Sequence, residues 1–159
     1  MILEIIKADP DCFQHINETM RQNRQVVQVA VQANGINLKH VLDKHRDDID
    51  IVALAVKQNV FALRAASLRL RGDRKLVLRC IEQHASTLKF ASPELQNDPD
   101  ICEFALRRDG TALRYMSVEA KGNRRLVTIA IKQSSTALSF AAKDLQNDPK
   151  LIAMCHDSD

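Results

Sequence analysis

The chain has 159 residues, 45% of them hydrophobic and 27% charged, which suits one ordinary globular domain. Four glycines, four prolines and no tryptophan argue against long loops and many-stranded sheets, and they leave a Leu, Ile, Val and Ala core that favours helices. A net charge of +3 excludes a strong whole-molecule pull toward nucleic acid or membranes, and no apolar run approaches the ~20 residues of a membrane span.

From the N-terminus, "ILEIIK" reads as the end of a helix, and its early acidic residue and missing cleavage-site pattern give no secretory signal. "FQHINETMRQN" follows as a second helical segment. Then a period of 25 begins, marked by Asn23, Asp48, Asp73, Asp98, Asn123 and Asp148. Asn and Asp are favoured helix N-caps, because the side-chain oxygen accepts an otherwise unpaired backbone N–H. Pro99 and Pro149 occupy the first helical position, where no N–H is needed.

Each cap is followed by an apolar pair, from Val26/Val27 to Leu151/Ile152, and four residues on by a small one: Ala30, Ala55, Cys80, Ala105, Ala130 or Cys155. The spacing makes one apolar helix face. The helix is expected to end near residues 34–35, 59–60, 84–85, 109–110 and 134–135, with Gly35 and Gly110 as left-handed C-terminal caps. A second segment carries Leu38, Leu63, Leu88, Leu113 and Leu138, breaks near Ser67, Ser92 and Ser117, and adds about one helical turn anchored by Leu70, Leu95 and Leu145.

A unit of 25 residues is too small to bury its own face, so neighbours stack. The expected fold is all-α: an α-solenoid whose repeats hold a first helix and a short broken second helix. One helical repeat domain fills 1–159, with a partial repeat at 1–22, whole repeats at 23–47, 48–72, 73–97, 98–122 and 123–147, and a terminal helix at 148–159.

The strings "AVKQNVFALRAASLRLRGDRKLVLRC" and "FALRRDGTALRYMSVEAKGNRRLV" resemble a helical repeat family catalogued as domain of unknown function 4116. The similarity runs over nearly the whole chain, although "KHVLDKHRDD" lacks the Ala-Ser step. The resemblance implies tandem helical repeats in a bacterial setting, with some members secreted as effectors, and no defining enzymatic activity or catalytic residue.

Cys80, Cys102 and Cys155 fall in core columns and read as packing residues. Cys12 is the fourth cysteine, and no CxxC spacing links any of them, which suits a reducing compartment: the cytoplasm, or a host cytosol after secretion. His15 and His40 share a column with Phe90, Tyr115 and Phe140 and read as ring fillers of the core rather than a metal pair. "RGD" at 71–73 reads as an inter-repeat turn and cap. No cofactor, metal or catalytic set is expected, and the chain reads as a non-enzyme.

Charge points to a candidate binding edge at the inter-repeat turns: Arg21 and Arg24, then Arg71, Arg74 and Lys75, then Lys121, Arg124 and Arg125. A second stripe holds Lys39, Arg64, Lys89 and Arg114. The leading expectation is an interaction scaffold with a protein partner. The alternative is nucleic-acid or anionic-lipid binding along the basic edge, against which stands a shortage of aromatics outside the core for base stacking.

Overall fold

The computed structural model describes residues 1–156, which hold nineteen helical segments and no strand among the described residues. The fold is an all-α repeat. Contacts divide the chain into two compact units, Met1–Leu76 and Val77–Asp159.

In the first unit the pattern is long helix, 3-10 helix, short helix. Helix Ile2–Ala8 leads into the 3-10 helix Pro10–His15 and the short helix Glu18–Gln22. Arg24–Ala33, Gly35–His40 and Asp43–Arg46 repeat the order, and Ile49–Gln58, Val60–Ala65 and Leu68–Arg71 repeat it again. The caps act as the spacing predicts: Asn23 accepts from the N–H groups of Gln25 and Val26, and Asp48 from those of Asp50 and Ile51. Long helices Arg24–Ala33 and Ile49–Gln58 pack on each other, as do 3-10 helices Gly35–His40 and Val60–Ala65. Val26, Val27, Ala30 and Val31 of one long helix and Ile51, Val52, Ala55 and Val56 of the next are all buried. Each Val or Ile so buried is worth about 1.5–3 kcal/mol.

In the second unit the helix Pro99–Leu106, capped by Asp98, is followed by 3-10 helix Gly110–Tyr115 and short helix Val118–Lys121. Arg124–Gln133, Ser135–Phe140 and Lys143–Gln146 form the next set, and Pro149–His156 the last described helix. Residues 157–159 of the expected terminal helix lie outside the described residues. Asn123 and Asp148 cap as their counterparts do. Cys80, Ala105 and Ala130 are fully buried, as is Cys102. Only a small side chain lets helix axes approach closely there.

Two details differ from the sequence expectation. The second segment begins with a 3-10 helix of six residues in every copy; Asn34, Asn59 and Asp109 cap three of them by accepting from Ile36, Phe61 and Thr111 N–H, whereas those after His84 and Ser134 form without a side-chain cap. Gly35 and Gly110 are not left-handed caps, since no described residue has positive φ. They are glycine because the next repeat comes close. A Cβ on Gly35 would lie 2.3 Å from the Ala55 carbonyl oxygen, and one on Gly110 would lie 2.2 Å from that of Ala130.

Backbone bonds also join repeats inside each unit. Ser67 N–H donates to the Arg46 carbonyl (2.9 Å) in the first; in the second, Ser117 donates to Gln96 (3.1 Å) and Ala142 to Lys121 (3.0 Å).

Candidate binding surface

The charged turns fall into two columns, in each of which some members make structural contacts. The first holds Arg21, Arg46, Arg71, Gln96, Lys121 and Gln146, all half-buried. In three of its members the side chain reaches back seven residues to a 3-10 carbonyl: Arg46 Nη2 to Lys39 O (2.8 Å), Gln96 Nε2 to Lys89 O (3.2 Å) and Gln146 Nε2 to Ser139 O (3.0 Å). Carbonyls at the end of a short helix lack intrahelical partners, and these side chains satisfy them. Arg21, Arg71 and Lys121 of the candidate edge belong to this column.

The second column begins each long helix. Arg24 forks onto the Asp48 carboxylate, Nε to Oδ2 at 3.1 Å and Nη2 to Oδ1 at 3.2 Å, and also reaches Asp50 Oδ2 at 3.0 Å. Arg124 forks onto Asp148 in the same way, with Nη2 to Oδ1 at 3.0 Å. Asp48 and Asp148 therefore cap one helix and bind the arginine of the previous repeat. Arg124 donates to the Asp148 carboxyl and holds it low, at about 2, against the burial that would raise it. Burial raises Asp48 too, but the hydrogen bonds from Arg24 and from the N–H groups of Ile51 and Asp50 outweigh it, and the net shift is downward. Arg125 pairs with Glu103, which also holds Arg107. Arg71 and Arg74 are engaged by neighbouring groups, and Lys75 is exposed. Three of the eight candidate-edge cations, Arg24, Arg124 and Arg125, are thus clamped onto carboxylates of neighbouring repeats.

Cys80 and Cys102 are thiols pushed up by burial, to about 11 and about 12, so both stay protonated and unreactive near neutrality. His40 is held low by burial and by the charges of Lys39, Arg21, Arg46 and His15. No group of three or more His, Cys, Asp or Glu able to hold a metal occurs among the described residues. In the RGD string Gly72 is an ordinary right-handed helix end, and Asp73 caps Leu76 N–H at 2.8 Å. No described helix is long and apolar enough to cross a membrane.

The aromatic column is where the structure departs most from the sequence reading. Phe90, Tyr115 and Phe140 do not fill the core; each is half-buried at the C-terminal end of a 3-10 helix. The preceding residues Lys89 and Arg114 are exposed and lie against the rings. Lys89 Nζ is 4.8 Å from the Phe90 centroid and 5.6 Å from that of Tyr115. Arg114 Cζ is 5.3 Å from the Tyr115 centroid and 5.2 Å from that of Phe140. Cation and ring alternate along one surface row of the second unit, each cation within the ~6 Å reach of a cation–π attraction. The signal was present in the sequence as the adjacency of the cation stripe and the ring column. In the first unit the same positions hold Lys39, His40, Arg64 and Ala65, and a cleft of about 180 Å³ opens there, lined also by Ile36, Phe61 and Ala62.

The family described as "Domain of unknown function (DUF4116)" matches residues 1–44, 30–71 and 73–119, which is most of the chain. No curated protein and no solved structure resembles the chain closely enough to count as a match.

Proposed function

The chain belongs to the family described as domain of unknown function 4116, and on that premise we propose that it is a non-enzymatic solenoid scaffold that binds another protein. One observation carries the reading: the half-exposed row of Phe90, Tyr115 and Phe140 interleaved with Lys89 and Arg114. Aromatic and arginine side chains are the residue types that anchor protein interfaces, since they bury large areas with few rotatable bonds. Lys89 reaches the Tyr115 ring of the next repeat and Arg114 the Phe140 ring of the one after, so the row links repeats while leaving its rings half-exposed at the surface. Nucleic-acid or anionic-lipid binding along the basic edge is less favoured, because Arg24, Arg124 and Arg125 already sit in ion pairs with carboxylates. A reducing compartment, the cytoplasm or a host cytosol, suits the buried thiols of Cys80 and Cys102.

The test is retention of cellular proteins by the immobilised full chain after nuclease treatment, compared with a Phe90→Ala, Tyr115→Ala, Phe140→Ala variant of unchanged helical circular dichroism. Bands that survive nuclease and vanish in the variant support the scaffold. Retention that nuclease abolishes, or that the variant leaves intact, rejects the row as its binding surface.

A further inference from the structure

We infer that the cleft of the first unit binds a single aromatic ring that carries a phosphate, at a site separate from the ring row and independent of the protein-binding reading. The 3-10 helices Gly35–His40 and Val60–Ala65 pack on each other as successive copies. Side chains three residues apart eclipse one another on a 3-10 helix. Ile36 and Lys39 therefore share one side of the first helix, and Phe61 and Arg64 share the equivalent side of the second. The cleft of about 180 Å³ is lined by these four residues, Ala62 and Ala65. Ala65 stands at the position that Tyr115 fills with a ring in the second unit, and a methyl there leaves the space open. Ile36 and Phe61 stand where the second unit has Ser86, Thr111 and Thr136. An apolar floor beneath a pair of cations thus belongs to these two repeats.

Arg24, Arg46 and Arg69 of the same unit each hold a carboxylate, whereas Lys39 and Arg64, both exposed, pair with none among the described residues. The surrounding charge is basic too: burial holds His40 low, and the charged groups that add to the shift are Lys39, Arg21, Arg46 and His15. Such a mouth favours an anion. A carboxylate brings one charge for two cations. A phosphate monoester brings about −1.5 to −2 near pH 7 and three acceptor oxygens, enough for the guanidinium fork of Arg64 and the point charge of Lys39 together. The floor decides what the phosphate is attached to. The side chains of Ile36, Phe61, Ala62 and Ala65 carry no hydrogen-bonding group, so inorganic phosphate alone would gain nothing from them, whereas a ring would meet the face or edge of Phe61. A cavity of about 150 Å³ admits one benzene, so this cleft takes one ring with its phosphate at the open mouth. Pockets for larger ligands begin near ~300 Å³.

The test is a titration of the isotope-labelled full chain with phenyl phosphate, followed by the shifts of its backbone amides. The expected result is one saturable set of shifts at the cleft residues, with an affinity about threefold or more tighter than for inorganic phosphate, benzoate or phenol. Lys39→Gln/Arg64→Gln should weaken binding about tenfold or more. Lys44→Gln/Lys57→Gln, which removes the same charge at exposed positions outside the cleft lining, should change it by no more than about twofold, since exposed charge is screened. Ala65→Tyr, which keeps both cations and fills the cleft, should abolish binding, and every variant is checked for unchanged helicity. A free aryl phosphate and a phosphorylated tyrosine side chain offer the same group, so a glycine-flanked phosphotyrosine peptide is titrated alongside. Tighter binding of the peptide than of phenyl phosphate assigns a protein segment as the source, equal or weaker binding assigns a free aryl phosphate, and both support the site. Inorganic phosphate or benzoate bound as tightly as phenyl phosphate overturns the inference. So do shifts scattered over the basic surface, the lack of any saturable shift, or binding that the Lys39/Arg64 and Ala65 variants leave intact.

Discussion

The two units are written in the same 25-residue phase, and one surface column separates them most clearly. Residues 15, 40 and 65 of the first hold His, His and Ala; residues 90, 115 and 140 of the second hold Phe, Tyr and Phe. Around them several frame features occur in both units: caps at Asn23 and Asn123, small residues at Ala55 and Ala105, glycines at Gly35 and Gly110 (though Val60, Ala85 and Ser135 stand at that position in other copies), and Arg–Asp forks from Arg24 and Arg124. The caps and buried small residues that hold the frame are thus distinct from the half-exposed ring column. In repeat proteins that separation lets one frame present different binding surfaces.

The comparison is tested first where the frame is tightest. Gly35→Ala and Gly110→Ala should each destabilise by about 3 kcal/mol in urea titration, because the new Cβ meets a backbone carbonyl that only a shift of the neighbouring repeat can relieve. Gly122→Ala, whose nearest such contact is 3.5 Å at an ordinary right-handed backbone, should be neutral or slightly stabilising. A large difference between the Gly35 and Gly110 variants would break the equivalence of the frames. Next in size, Ala55→Leu and Ala105→Leu should each cost roughly 1–3 kcal/mol by overpacking fully buried sites.

Caps and small residues were legible in the sequence because their causes are local or periodic: an oxygen one turn from an N–H, a side chain that cannot exceed a methyl. Three features were not, for physical reasons. Six residues of 3-10 helix and of α-helix bury nearly the same apolar positions, so the spacing of Leu38 and Val41 does not tell them apart. The need for glycine at Gly35 comes from the Ala55 carbonyl twenty residues on, and so carries no local mark. The pairing of Arg24 and Arg124 within the basic turns was not legible because the carboxylates that meet them lie twenty-four residues downstream. Ring exposure at Tyr115 depends on the same unreadable 3-10 geometry.

Smaller effects sharpen the equivalence of the two frames. Asn23→Ala and Asn123→Ala should each cost about 1 kcal/mol, the usual worth of a capping side chain, measured by the shift in urea midpoint. The Arg124–Asp148 fork adds a pH dependence. The Asp148 carboxyl is held at about 2 against an ordinary 3.8, so its contribution is fully present above the ordinary value and is lost as pH falls toward 2. The difference in urea midpoint between the parent and Arg124→Gln should therefore shrink over that window and be constant from pH 5 to 7. A difference that persisted at pH 2 would mean that Arg124 acts through packing rather than through the carboxylate.

The smallest expected change in stability belongs to the most informative substitution, Ala65→Tyr. It writes the ring of the second unit into the first, where a cleft of about 180 Å³ lies between Lys39 and Arg64 beside Phe61. Ala65 is half-buried at the end of a 3-10 helix, like Tyr115, so the ring enters open space, and stability should change by no more than about 0.5 kcal/mol. Tyr115 is the sole tyrosine and the chain has no tryptophan, so in a Tyr115→Phe background the new tyrosine is the only strongly fluorescent residue. If the cations close on it as Lys89 and Arg114 close on Tyr115, iodide, drawn to the positive charge, should quench it more strongly than caesium. Replacing Lys39 and Arg64 by Gln should remove that preference. Equal quenching by the two ions, or a loss of more than about 1 kcal/mol, would mean that the backbone of the first unit cannot present the row.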